Sequence, residues 1–90
     1  MREDLLVEVE ERIKKVIREQ LEIDETVEID AFDEEFLVAY NLNSVDALEM
    51  LLMIEKEFDI EIEDDDLNAD LLRTIHSLAE YVIRVLENQG

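Results

Sequence analysis

Ninety residues suffice for one domain with one core and leave no room for a second, so the chain reads as a single domain over 1–90. It carries 27 acidic residues against 8 basic ones, a formal charge of -19, which argues against nucleic-acid binding, since the phosphate backbone rewards clustered Lys and Arg. With no cysteine, disulfides and thiolate metal sites are excluded; the start, Met1 to Val7, turns acidic too early for a signal peptide, and no apolar run reaches membrane-spanning length. These features give the expectation of a soluble cytoplasmic protein with basic partners, no membrane contact, and a monomeric state favoured by like charge. A 48% hydrophobic content in helical periods opposes disorder, and a lone terminal glycine with no proline favours helices joined by polar loops.

From Glu3 to Gln20 the apolar residues Leu6, Val9, Ile13, Val16 and Ile17, then Leu21, follow the steps of an amphipathic helix, the first and longest. Glu8 with Arg12, Glu10 with Lys14 and Glu11 with Lys15 are acid-first pairs four apart. The cations Arg12, Lys14, Lys15 and Arg18 therefore read as a neutralised, solvated face rather than a binding patch. Between Glu22 and Asn43 there is no helical stripe. This is a long first loop in which Phe36 and some of the aliphatics are expected to anchor the chain, and the alternation from Thr26 to Asp30 has no partner strand.

A second long helix is expected over 44–58, with Asn43 or Ser44 as its N-cap. Ala47, Met50, Leu51, Ile54 and Phe58 form its core stripe, while Val45 and Leu52 project from the other side beside Asp46, Glu49 and Lys56. A core does not account for those two, and a small apolar patch with a charged border has the form of a docking surface. Taken alone, Ser44 is most simply a cap.

Asp64, Asp65 and Asp66 suit the positive end of a short helix over 64–71. A calcium loop starting at Asp59 is a poor match, because Asp64 stands where the turn requires glycine and Leu67 interrupts the ligands, so no metal site is assigned. Thr74 caps a last helix over 75–87 with a core stripe of Ile75, Leu78, Ala79, Val82 and Leu86. His76, the sole histidine, has no nucleophile or orienting partner nearby in sequence and reads as a surface residue. No catalytic residue is assigned, and the chain does not read as an enzyme.

The resulting fold is all-α: a four-helix bundle with three longer helices, one short helix and a long first loop. In that setting Glu11 to Leu21, Phe36 eight residues before the serine, Asn43-Ser44-Val45-Asp46-Ala47-Leu48-Glu49, Glu55 to Ile62, Thr74-Ile75 and Tyr81-Val82-Ile83 together resemble an acyl carrier protein over nearly the whole chain. The resemblance implies that Ser44 receives 4'-phosphopantetheine from coenzyme A through a separate, magnesium-dependent phosphopantetheinyl transferase. It also implies that the arm's thiol holds acyl groups as thioesters. The partners would be acyl-transferring or acyl-modifying enzymes of fatty-acid, lipid or polyketide-type synthesis with basic docking surfaces, met by Asn43, Val45, Asp46, Glu49, Leu52, Met53 and Glu55. Where carriers of this family typically have Asp-Ser-Leu, often with a glycine two residues before the Asp, this chain has Asn41-Leu42-Asn43-Ser44-Val45, and Lys56 adds a cation to an acidic helix. These departures favour a specialised carrier over the housekeeping one. The alternatives are an aminoacyl or peptidyl carrier and, from a different class, an unmodified acidic interaction module such as a nucleic-acid mimic.

Overall fold

The apolar periods of the sequence become three long helices in a computed structural model that describes residues 2–67 and 69–89. They are α1 (Arg2–Leu21), α3 (Ser44–Phe58) and α4 (Ile75–Gln89), with a single-turn helix, α2 (Phe36–Ala39), inside the long first loop. No strand occurs among the described residues. α1 packs mainly on α4 and also on α3. The expected stripe of α3 is buried in full, from Ala47 through Met50, Leu51 and Ile54 to Phe58, and it meets Val9, Ile13, Val16 and Ile17 of α1 and Ile75, Leu78, Ala79, Val82 and Ile83 of α4 in one aliphatic core. Leu86, expected in that core, is half-buried, and Ile83 takes the buried place.

The helices stop without glycine. After α1, α2 and α3 the chain turns through Glu22 (φ 56°), Asn41 (φ 55°) and Asp59 (φ 52°), all left-handed. At each turn the next amide closes a hydrogen bond five residues back, from Ile23 to the carbonyl of Arg18 (2.9 Å), Leu42 to that of Leu37 (2.7 Å) and Ile60 to that of Glu55 (3.0 Å). This is the Schellman arrangement, in which an aliphatic residue follows the left-handed one. Asn and Asp tolerate that conformation, whereas Glu22 has no such allowance and bears a steric cost of about 1–2 kcal/mol.

The long loop is held by its acids as well as its apolar anchors. The carboxylates of Asp24, Asp30 and Asp33 each accept from the amide two residues on, at Thr26 (2.8 Å), Phe32 (2.9 Å) and Glu35 (2.9 Å). Such local bonds give the backbone turns where no ladder exists. The bonds from the amide and hydroxyl of Thr26 also hold the Asp24 carboxyl below the usual carboxylate range. Phe36 is fully buried, as expected of an anchor, with Ile29 and Ala31 beside it in the core, whereas Val27, Phe32 and Val38 are exposed.

Three expectations need correction. The residues 64–71 do not form one helix; they make two 3-10 turns, Asp64–Asp66 and Ala69–Leu72, the first tied to α4 by the Tyr81 hydroxyl, which donates to Asp66 Oδ2 (3.0 Å). Nor do the acid-first pairs of α1 form. Glu11 reaches Lys14 (3.8 Å), Glu10 turns to His76, and Arg12 crosses to α3. There Arg12 donates to the Glu57 carboxylate (3.1 Å) and carbonyl (2.8 Å) and lies 4.4 Å over the Phe58 ring, so it serves the open carbonyl end of α3. Arg18 likewise donates to the carbonyl of Val27 (2.9 Å) in the loop.

His76 is the third correction. It is half-buried, its Nδ1 lies 2.8 Å from Glu10 and its Nε2 3.5 Å from Glu80, and its ring stacks on Phe32 at 4.5 Å. Its amide donates to the carbonyl of Ala31 (2.8 Å), so one residue joins α1, the loop and α4.

Two measurements check this account. Glu22→Gly removes the clash of Cβ in the left-handed region and is expected to stabilise the fold by about 1 kcal/mol, read as a rise in the urea midpoint at unchanged slope. Partial burial, then the hydrogen bond to Asp66, pushes the Tyr81 hydroxyl above its ordinary value. A group raised in this sense contributes stability that is complete below the unfolded-state value and is lost as pH rises through the folded one. Ultraviolet titration is therefore expected to show a late-ionising tyrosine that disappears in Tyr81→Phe.

Candidate functional site at the start of α3

A helix begins with unpaired amides, and a side chain just outside it usually accepts from one of them. Asn43 and Ser44 both have the chemistry to do so. The structure gives the task to Asn43: its backbone is extended (φ -95°, ψ -177°), its Oδ1 accepts from the Asp46 amide (2.8 Å), and Asp46 Oδ2 accepts from the Asn43 amide (3.2 Å). This is a reciprocal capping box. Ser44 is consequently the first helical residue, exposed to solvent, and its hydroxyl makes no hydrogen bond among the described residues.

The consequence is chemical. A serine whose hydroxyl caps a helix has a structural occupation, but this one has a free oxygen at the positive end of a 15-residue helix. A negatively charged phosphodiester on that oxygen would meet the helix dipole favourably, and the capping neighbour is a neutral amide rather than a second anion. Among the described residues no acid or base side chain is bonded to the hydroxyl. Among the described residues no three His, Cys, Asp or Glu side chains are placed to hold a metal ion. The site can present a hydroxyl to another protein's chemistry.

Beside the serine, α3 exposes an apolar stripe. Val45 is 63% exposed, Leu52 43% and Leu48 39%, at positions three and seven residues after the first and so along one side of the helix. Leu48 belongs with the other two although the sequence reading passed over it; its place three residues after Val45 and four before Leu52 was the available signal. Glu49 is exposed on the same side. The remaining candidates have other surroundings. Met53 is 39% exposed and faces an open groove with Val16, Glu19 and Gln20 of α1. Asp46 is half-buried and committed to the capping box, and Glu55 accepts from the Ile62 amide (2.6 Å), fastening the segment that follows α3.

The start of α3 thus combines an exposed serine hydroxyl with an apolar, acid-bordered helix face in an all-helical bundle. The chain matches the phosphopantetheine attachment site family over residues 11–82 and belongs to it. No solved structure matches the chain. Proteins of this family carry covalently attached 4'-phosphopantetheine, are in general not catalysts themselves, and work with a phosphopantetheinyl transferase and with acyl-handling enzymes.

The division of labour between Asn43 and Ser44 is open to test. Asn43→Ala is expected to lower stability by about 1 kcal/mol through loss of the cap, while Asn43→Asp, which keeps the acceptor, stays within a few tenths. Ser44→Ala, which removes no cap, is expected to change the thermal midpoint far less than Asn43→Ala does.

Proposed function

We propose that Ser44 Oγ is the attachment point of 4'-phosphopantetheine and that the protein carries acyl intermediates between enzymes of fatty-acid, lipid or polyketide-type synthesis in the cytoplasm. The observation that carries this reading is the capping of α3 by Asn43, which leaves the Ser44 hydroxyl exposed and unbonded. Loading forms a phosphodiester between Oγ and the phosphorus that joins the pantetheine arm in coenzyme A, breaks the pyrophosphate, releases 3',5'-adenosine diphosphate and passes the serine proton to a base of the transferase. The arm, once bound, supplies a terminal thiol that holds the acyl group as a thioester.

The chain's own contribution is placement. Asn43 and Asp46 hold the first turn of α3 in one conformation, so Ser44 is offered at a fixed point rather than on a mobile loop. Val45, Leu48 and Leu52 supply apolar area for a visiting enzyme, and Glu49 with Asp46 supplies negative charge close to the serine. A charge of -19 raises encounter rates with Arg- and Lys-lined surfaces and makes them fall with salt, which suits weak, rapid exchange between enzymes.

Incubation with coenzyme A, magnesium and a broad-specificity phosphopantetheinyl transferase is expected to add one phosphopantetheine to the intact mass, and Ser44→Ala is expected to abolish the gain. A folded protein that several such transferases leave unchanged would instead be an unmodified acidic module, and a gain that survives in Ser44→Ala would place the attachment elsewhere.

A further inference from the structure

Between Ser44 and Leu72 the sequence contains many acids and a single cation, Lys56. Its position is specific. Val45, Leu48, Glu49, Leu52 and Lys56 are offset by three, four, seven and eleven residues, which keeps all five on one side of α3. At a rise of about 1.5 Å per residue, Lys56 stands about 18 Å along the helix axis from Ser44.

The two glutamates that flank it make other contacts. Glu55 accepts from the Ile62 amide (2.6 Å), and Glu57 pairs with Arg12 (3.1 Å). The residues three and four positions before Lys56 are Met53 and Leu52, and those three and four after it are Asp59, where the helix has ended in the left-handed conformation, and Ile60. Among the described residues Lys56 makes no ion pair or hydrogen bond, and it is exposed where the open groove containing Leu52, Asp59 and Ile60 meets the one containing Met53 and Val16. The exposed face of α3 thus carries Glu49 near the serine, an apolar middle, and at the far end a single ammonium that makes no ion pair with Glu19, Glu55, Glu57, Asp59 or Glu61, the acids that line its two grooves.

We infer that Lys56 is a specificity-determining residue for docking on α3, selecting enzymes whose basic, apolar-centred surface carries a carboxylate opposite the far end of the helix and disfavouring surfaces that are basic throughout. The inference rests on the carrier reading above and deepens it. Like charges brought together at an interface are costly, and an unpaired lysine is a compact point charge that a matching carboxylate satisfies. A lysine in the last turn also suits the negative end of the helix dipole, but that role concerns stability alone and predicts no change in docking.

The probe is a broad-specificity phosphopantetheinyl transferase with a uniformly basic carrier-docking surface, with kcat/KM for loading of Ser44 measured against salt. Lys56→Glu is expected to raise kcat/KM by about five-fold at low ionic strength, Lys56→Gln by about two-fold, and both advantages are expected to vanish near 0.5 M salt. Lys15→Glu, which makes the same change in net charge at an exposed position of α1, is expected to leave kcat/KM within about two-fold of the parent. Equal responses of Lys56→Glu and Lys15→Glu, or no response of either Lys56 variant, would overturn the inference while leaving the carrier reading intact. Failure of the parent and all variants to be loaded on Ser44 would instead remove the carrier reading and the inference together. Because Lys56→Glu also opposes the helix dipole, Lys56→Gln provides the readout at little cost to folding.

Discussion

The reciprocal hydrogen bonds between Asn43 and Asp46 decide where α3 begins, and the exposure of Ser44 follows from that boundary. With the first turn closed by an amide side chain, Ser44 enters the helix with its hydroxyl unused. Packing in the shared core turns Ala47, Met50, Leu51, Ile54 and Phe58 of α3 inward and leaves Val45, Leu48 and Leu52 facing outward.

A small domain with a charge of -19 has little margin, and this one puts much of its acid to structural use. Asp24, Asp30 and Asp33 turn the loop, Asp46 completes the cap, Glu55 holds the segment after α3, Glu57 holds Arg12, and Asp66 receives the Tyr81 hydroxyl. The scarce basic residues do the reverse service. Arg12 and Arg18 reach carbonyls that the helix ends and the loop leave open, and His76 lies between two carboxylates. Lys56, exposed on α3, takes no part in these bonds.

Much of this was legible from residue types and spacing. A period of 3.6 residues marked the three long helices and the whole buried stripe of α3, and the acid-rimmed pair Val45 and Leu52 marked its outer face, because a helical side chain's direction is set by position alone. Family resemblance singled out Ser44. Between Asn43 and Ser44 the cap stayed undecided, since both offer an acceptor to the same amides. α2 was hidden because one turn is too short to show a period, and the run Asp64 to Asp66 looked like the start of a continuous helix because like acids suit any such start.

What only the tertiary structure decided is which side chains meet across the bundle. Glu10 has Lys14 four residues away yet bonds to His76, 66 positions distant, and Arg12 prefers Glu57 and Phe58 to Glu8. Glu55, which in sequence reads as a docking acid, is drawn to the Ile62 amide once the chain turns back after Asp59. The sequence by itself determined the three long helices, most of their inward stripes and the place of the serine, because those depend on periods and hydrogen bonds within a turn or two. The partners of its charges, and hence which of them remain for another protein to read, depended on the packing of helices far apart in the chain.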